Sequence, residues 1–139
     1  MIALTLILLS AAVAVILFFA AVVTPAIFSS LPREEAGRVI RVLFPRYYLV
    51  LGALTALACV TAVYAFPGPA LLIGIATAGF IYAQFVLRPR INALRDLAYS
   101  GADAEAKGRF DRMHKTSVLL NAAQLLLLLV AIGWIASLT

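Results

Sequence analysis

Four apolar stretches divide the chain, Ile2–Phe28, Tyr47–Phe66, Ala70–Leu87 and Ser117–Leu138. Crossing the ~30 Å hydrocarbon core of a bilayer takes ~20 apolar residues at ~1.5 Å each, and every stretch reaches or approaches that length. The first exceeds it, so that helix is expected to tilt or to project beyond the bilayer. Helices are the expected form, because an unclosed sheet in lipid would leave backbone groups unpaired. The pattern predicts an all-α fold: an integral membrane four-helix bundle forming a single domain over residues 1–139. The opening residues carry no basic cluster, and the first apolar run is too long for a signal peptide. A retained span is expected.

The links between the stretches carry helical signals of their own. Over 32–44, Val39, Ile40, Leu43 and Phe44 recur at helical spacing opposite Arg38 and Arg41, and Glu34 stands four residues before Arg38. Ser30 is a candidate cap, Pro32 suits a first turn, and Pro45 is expected to end the segment. This spacing predicts a short amphipathic helix lying in the membrane interface, followed by Tyr47 and Tyr48 as an aromatic anchor for the second span. The link from Arg88 to Lys115 is expected to extend spans three and four into the cytosol. Its break is placed at Ser100-Gly101, with Asp103 as the cap of the next helix.

Composition turns the four-span reading into a topology. Hydrophobic residues make up 65% of the chain and charged residues 12%, with a mean hydropathy of +1.08. There is too little polar surface for a water-soluble globule. All 11 Lys and Arg residues lie in the first and third links; the middle turn, Phe66-Pro67-Gly68-Pro69, has none. Basic residues are retained on the cytoplasmic side. Both termini are therefore expected outside, with a bacterial cytoplasmic (inner) membrane as the expected location. The net charge of +5 is then a matter of topology and of anionic lipid headgroups at the cytoplasmic face, not of nucleic acid. A single cysteine, Cys59, excludes an intramolecular disulfide and a cysteine metal cluster.

Polar residues near the cytoplasmic ends of the spans hold the remaining chemistry. On a helix turning ~100° per residue, Gln84, Arg88, Asn92 and Arg95 share an arc of ~80°. His114, Ser117, Asn121 and Gln124 share another of similar width. Polar groups are disfavoured facing lipid, so both stripes are expected to face the bundle interior. They serve either as interhelical hydrogen bonds or as the walls of a polar pocket. The arginines in such a pocket favour an anion, a phosphate headgroup or a carboxylate, over a cation. His114, beside Lys115 at the water boundary, reads as a surface histidine. Small residues line other faces: Gly52, Thr55, Cys59 and Ala62 in span two, with Gly74…Ala78 and Gly79…Ala83 in span three. They allow close helix approach, within one chain or between copies. No phosphate-cradling glycine loop, paired carboxylate or Ser-His-Asp pattern occurs. No enzymatic activity, cofactor or metal is expected.

Several short motifs resemble the transmembrane protein 205-like family, itself a small membrane domain of unknown function. They are Phe18-Phe19-Ala20-Ala21-Val22-Val23-Thr24-Pro25-Ala26-Ile27-Phe28, Glu35-Ala36-Gly37, Leu43-Phe44-Pro45-Arg46-Tyr47-Tyr48, Leu87-Arg88-Pro89-Arg90-Ile91-Asn92 and the run His114 to Asn121. The resemblance implies a four-helix membrane protein of unestablished activity. The plan is more distantly similar to copper-resistance D and HemJ-type membrane proteins. Bis-imidazole haem ligation needs two histidines where this chain has one, and copper transport wants more soft ligands than Cys59, Met113 and His114. The expected role is an accessory or scaffold subunit, with a membrane-protein partner or a second copy of the chain bound. The alternative is a small transporter or lipid- or anion-binding protein using the polar stripes, and a third is a haem- or copper-associated protein.

Overall fold

Two proline-linked π-turns and one proline-broken junction set the course of the backbone. The computed structural model describes residues 1–101 and 104–139. The first long helix comprises α1 (Ile2–Phe18), a π-helical turn at Phe19–Val23 and α2 (Thr24–Ser30). It stops at Leu31, whose extended backbone (φ −124°, ψ 149°) is what the following proline imposes. The second long helix is α3 (Arg33–Ala62). The third comprises α4 (Pro67–Tyr82), a second π-turn at Ala83–Leu87 and α5 (Arg88–Tyr99); the fourth is α6 (Ala104–Ser137). Each π-turn closes on the residue before a proline. The Thr24 N–H bonds the Phe19 carbonyl and the Arg88 N–H bonds the Ala83 carbonyl, and Pro25 and Pro89 follow. A proline has no N–H to give and its ring crowds the carbonyl four residues back. Widening the turn by one residue relieves that crowding while the helix continues.

The link between the first two spans departs from the expectation. There is no separate interfacial helix over 32–44. Instead α3 runs unbroken through Pro45 to Ala62. Proline weakens a helix locally, but it does not stop one that tertiary contacts hold on both sides. The Arg46 guanidinium also donates to the Val42 carbonyl at 2.8 Å, which helps satisfy the backbone beside the proline. Ser30 does not cap the helix. It is the last residue of α2, and Pro32 occupies the cap position with no side-chain bond. Glu34 and Arg38 pair at 2.8 Å on the exposed face, a contact worth little in water. At the other link, α5 ends at Tyr99 and Gly101 takes φ 70°, a left-handed turn suited to glycine. The expected cap Asp103 lies outside the described residues.

The core is a seam of small and medium apolar residues at helical spacing. Leu9, Ala12 and Ile16 meet Leu51, Ala58 and Ala62, Ile73, Ala76 and Phe80, and Leu128, Ala131 and Ile135. α3 packs on α1 and on α4, α4 packs on α6, and α6 returns to α1, so this part of the bundle is a closed ring. Glycines make the close approaches possible. A Cβ on Gly68 would stand 2.7 Å from the Trp134 ring, and one on Gly79 would stand 2.6 Å from the Gln124 amide. Polar core groups are paired: Thr5 and Thr61 share a 2.8 Å bond, and Thr55 donates to the Leu51 carbonyl at 2.8 Å. Facing outward are Phe18 (60% exposed), Val60 (66%), Leu71 (64%), Phe85 (67%) and Leu126 (62%). Four helices long and apolar enough to cross a bilayer, with large apolar side chains turned outward, make this a multi-pass membrane protein.

Candidate functional site

A cavity of about 240 Å³ opens among α2, α3, α5 and α6 at the charged end of the bundle. The continuity of α3 builds one wall. Because the helix does not break at Pro45, Arg33, Gly37, Ile40, Arg41, Phe44 and Tyr48 recur every three to four residues and line it along one face. α5 supplies Arg88, Ile91, Asn92, Arg95 and Tyr99, and α6 supplies Phe110, Asp111, His114 and Ser117. Leu87 of the second π-turn and Thr24 and Phe28 of α2 complete the lining. The residue directly after each π-turn, Thr24 and Arg88, thus borders the same space.

Of the eight expected stripe residues, the cavity gathers Arg88, Asn92, Arg95, His114 and Ser117. The other three are placed elsewhere. Gln84 is buried and accepts a 3.2 Å bond from the Arg88 Nε. Asn121 accepts a 3.0 Å bond from the Tyr47 hydroxyl. Gln124 is buried at 2% exposure in a seat left by Gly79, where a Cβ would stand 2.6 Å from its amide nitrogen. With the amide turned to satisfy both ends, Gln124 accepts from the Phe80 N–H at 2.9 Å and donates to the Leu120 carbonyl at 3.3 Å. None of these three lines the cavity, although Gln84 is bonded to Arg88, which does.

Tyr47 and Tyr48 correct a second expectation. They are not an anchor in the membrane interface but are buried at 6% and 8% exposure. They form a cluster with Phe19 and Phe44, in which the Phe19 and Tyr47 centroids lie 4.5 Å apart and Phe44 stacks on Tyr48 at 5.6 Å. A buried tyrosine needs a partner for its hydroxyl, and Asn121 is the partner of Tyr47. This cluster floors the cavity through Phe44 and Tyr48.

Positive charge dominates the walls. Among the described residues, Arg33, Arg41, Arg88 and Arg95 border the cavity together with a single carboxylate, Asp111. Arg41 donates to the Asn92 carbonyl at 3.1 Å and to Asp96 at 2.8 Å, and its Nε is buried without a partner. The Arg95 guanidinium lies against Gly37 and 5.4 Å from the centre of the Tyr99 ring. Among the described residues, Arg33, Arg88 and Arg95 form no ion pair. His114 stacks on Phe110 with centroids 6.0 Å apart and is exposed at the rim. Among the described residues no group of three or more His, Cys, Asp or Glu side chains is placed to hold a metal.

The α3 contribution was the part missed in the sequence. Its signal was present as the 33, 37, 40, 41, 44, 48 spacing, but reading Pro45 as a stop cut the stripe in two. Helical spacing alone sets Arg41 opposite Ile40 and Phe44, whereas all three border the same cavity.

Comparison with known proteins gives a match at the level of a family. The family described as a domain of unknown function, DUF4149, matches residues 7–100. The match takes in most of α1 and runs through α2, α3, α4 and α5, so it includes the Arg33–Tyr48 and Arg88–Tyr99 walls and excludes α6. No curated protein and no solved structure matches the chain. The comparisons reach this coarser family and not the transmembrane protein 205-like, copper-resistance D or HemJ-type families.

Proposed function

We propose, from the premise that the chain belongs to the DUF4149 family, that this member is a membrane-resident binding protein that takes an organic anion into the cavity at its charged end. The observation that carries this reading is the meeting of four arginines around one cavity, against one carboxylate, Asp111, among the described lining residues. Like charges gathered at a partly desolvated site repel one another, and three of these four have no carboxylate partner among the described residues. A phosphate or carboxylate relieves that repulsion and matches the planar donor fork of arginine. Arginine offers no lone pair, so four arginines facing one carboxylate, Asp111, disfavour a bare cation relative to an anion.

The scaffold reading is less well supported. Much of the small-residue surface that suggested it is used within the chain, Gly74 against Cys59 and Gly79 against Gln124. In this proposal the charged end faces the cytoplasm of a bacterial inner membrane and both termini face outward, because all 11 basic residues belong to the links at that end. The protein acts by binding, without catalysis. The resemblance to the transmembrane protein 205-like family fits this picture without adding a ligand to it.

The test compares three single-chain amphiphiles of equal tail length: dodecyl phosphate, dodecanoate and dodecyltrimethylammonium. Each is titrated into detergent-solubilised protein, with the thermal unfolding midpoint as readout. Stabilisation by one or both anions, lost in the Arg88→Gln/Arg95→Gln double variant, is the expected result. Equal stabilisation by the ammonium compound, or an anion effect that survives in the double variant, overturns the proposal.

A further inference from the structure

Resting on the anion-binding reading, we propose that the anion is the phosphate of a membrane phospholipid, which reaches the cavity sideways from the bilayer through the seam between α2 and α6. Three observations independent of the charge count carry this.

The first is an asymmetry in packing. α1 packs against both α3 and α6, closing the bundle on that side. Beyond the π-turn, α2 keeps its packing on α3 but makes at most marginal contact with α5 and α6. The ring that is closed along α1 is therefore unsealed along α2, where Thr24 and Phe28 line the cavity on one side and His114 and Ser117 on the other. Phe28 is 49% exposed, so an apolar ring stands at this edge, half in the cavity wall and half turned outward.

The second is depth. From Pro67, at the uncharged turn, to Arg88 is one continuous helical rod. At ~1.5 Å per residue the distance is roughly 30 Å, the thickness of the hydrocarbon core. Arg88 and the seam beside it therefore lie at the plane where lipid phosphates lie, not in bulk water.

The third is size. A site that encloses a whole organic ligand runs to ~300–1,000 Å³, and this one offers about 240 Å³. A phosphate with part of its glycerol fits, whereas acyl chains do not. An amphiphile bound here must leave its tails outside, and the unsealed seam is the way out that keeps them in lipid. Confinement to the bilayer raises the effective concentration of such a ligand, so a lipid outcompetes its own soluble headgroup by roughly 100-fold or more at equal bulk amounts.

The experiment uses full-length protein in phosphatidylcholine nanodiscs containing a phosphatidic acid with a diazirine near the carboxyl end of one acyl chain. After photolysis, adducts are mapped by mass spectrometry, with glycerol 3-phosphate as soluble competitor. The expected adducts fall on Thr24–Phe28 and His114–Ser117. They weaken at least several-fold in Arg88→Gln/Arg95→Gln, and glycerol 3-phosphate competes only at great excess. Three results overturn the proposal. Adducts spread evenly over the outer surface mean that no lipid is held at the seam. Adducts at the seam that the arginine substitutions leave unchanged mean that the phosphate is not what is recognised. Glycerol 3-phosphate binding as tightly as the lipid, with no seam adducts, removes the lateral route while leaving the anion reading intact. The amphiphile titration described above fails separately if the cavity takes no anion at all.

Discussion

The Arg95 guanidinium lies directly on the backbone of Gly37, in the space that a side chain at that position would fill. The two residues are on different helices, α3 and α5, and both border the cavity. Gly37 sits inside a long helix, where alanine is ordinarily favoured by roughly 0.5–1 kcal/mol. Its neighbour here is the far end of a flexible side chain, which can move. Gly37→Ala is therefore expected to leave the unfolding midpoint unchanged or slightly raised while displacing Arg95. Loss of one charge-assisted bond lowers affinity for dodecyl phosphate by about tenfold. Unchanged affinity in a folded Gly37→Ala protein would remove Arg95 from the site.

The seat of Gln124 gives the opposite expectation. Its amide is also the end of a flexible side chain, but it is buried at 2% exposure beside Gly79 and cannot move aside without leaving its bonds. Gly79→Val should expel the amide from its bonds to Phe80 and Leu120, at about 1–3 kcal/mol for a buried polar group left unsatisfied. Thermal unfolding in mild detergent should show a clearly lowered midpoint, partly recovered by adding Gln124→Met. A Gly79→Val protein as stable as the parent would show that the amide is not held there.

Tyr47 and Asn121 join α3 to α6 through one 3.0 Å bond. Interhelical hydrogen bonds of this kind contribute about 0.6 kcal/mol on average and up to about 1.7. The double-mutant cycle Tyr47→Phe, Asn121→Ala and the pair together should yield a coupling in that range. Additive effects of the two substitutions would mean the bond adds nothing to stability.

The proposed orientation rests on the distribution of basic residues and can be tested by labelling. In a Cys59→Ala background, a cysteine replacing Tyr64, which is 95% exposed at the uncharged turn, should react with an impermeant maleimide in intact cells. A cysteine replacing Ala104, at the start of α6, should react only after the membrane is opened. The reverse pattern would invert the proposed topology.

What could be read from the linear chain was what depends on composition and local length. Four apolar runs long enough to span a bilayer require four helices, because lipid offers backbone groups no partner outside their own segment. The gathering of every basic residue into two links, and the small-residue faces, follow from counting along the chain. The break at Ser100-Gly101 was legible because a left-handed glycine is a local backbone property.

The cavity was not legible in this way, because it depends on which elements meet. Proline at 45 reads locally as a stop. Tertiary packing of α3 on α1 and α4 carries the helix through it, so Arg33, Gly37, Arg41 and Tyr48 become one wall. Tyr47 reads as an interface anchor until Asn121, 74 residues away, supplies the hydroxyl partner that lets it be buried. Gln124 and Arg88 lie on polar arcs of the same kind in sequence. One became a packed amide and the other a cavity wall because Gly79 faces the first and open space faces the second. Periodicity places a side chain on a face of its own helix. Only the arrangement of the other helices decides what that face meets.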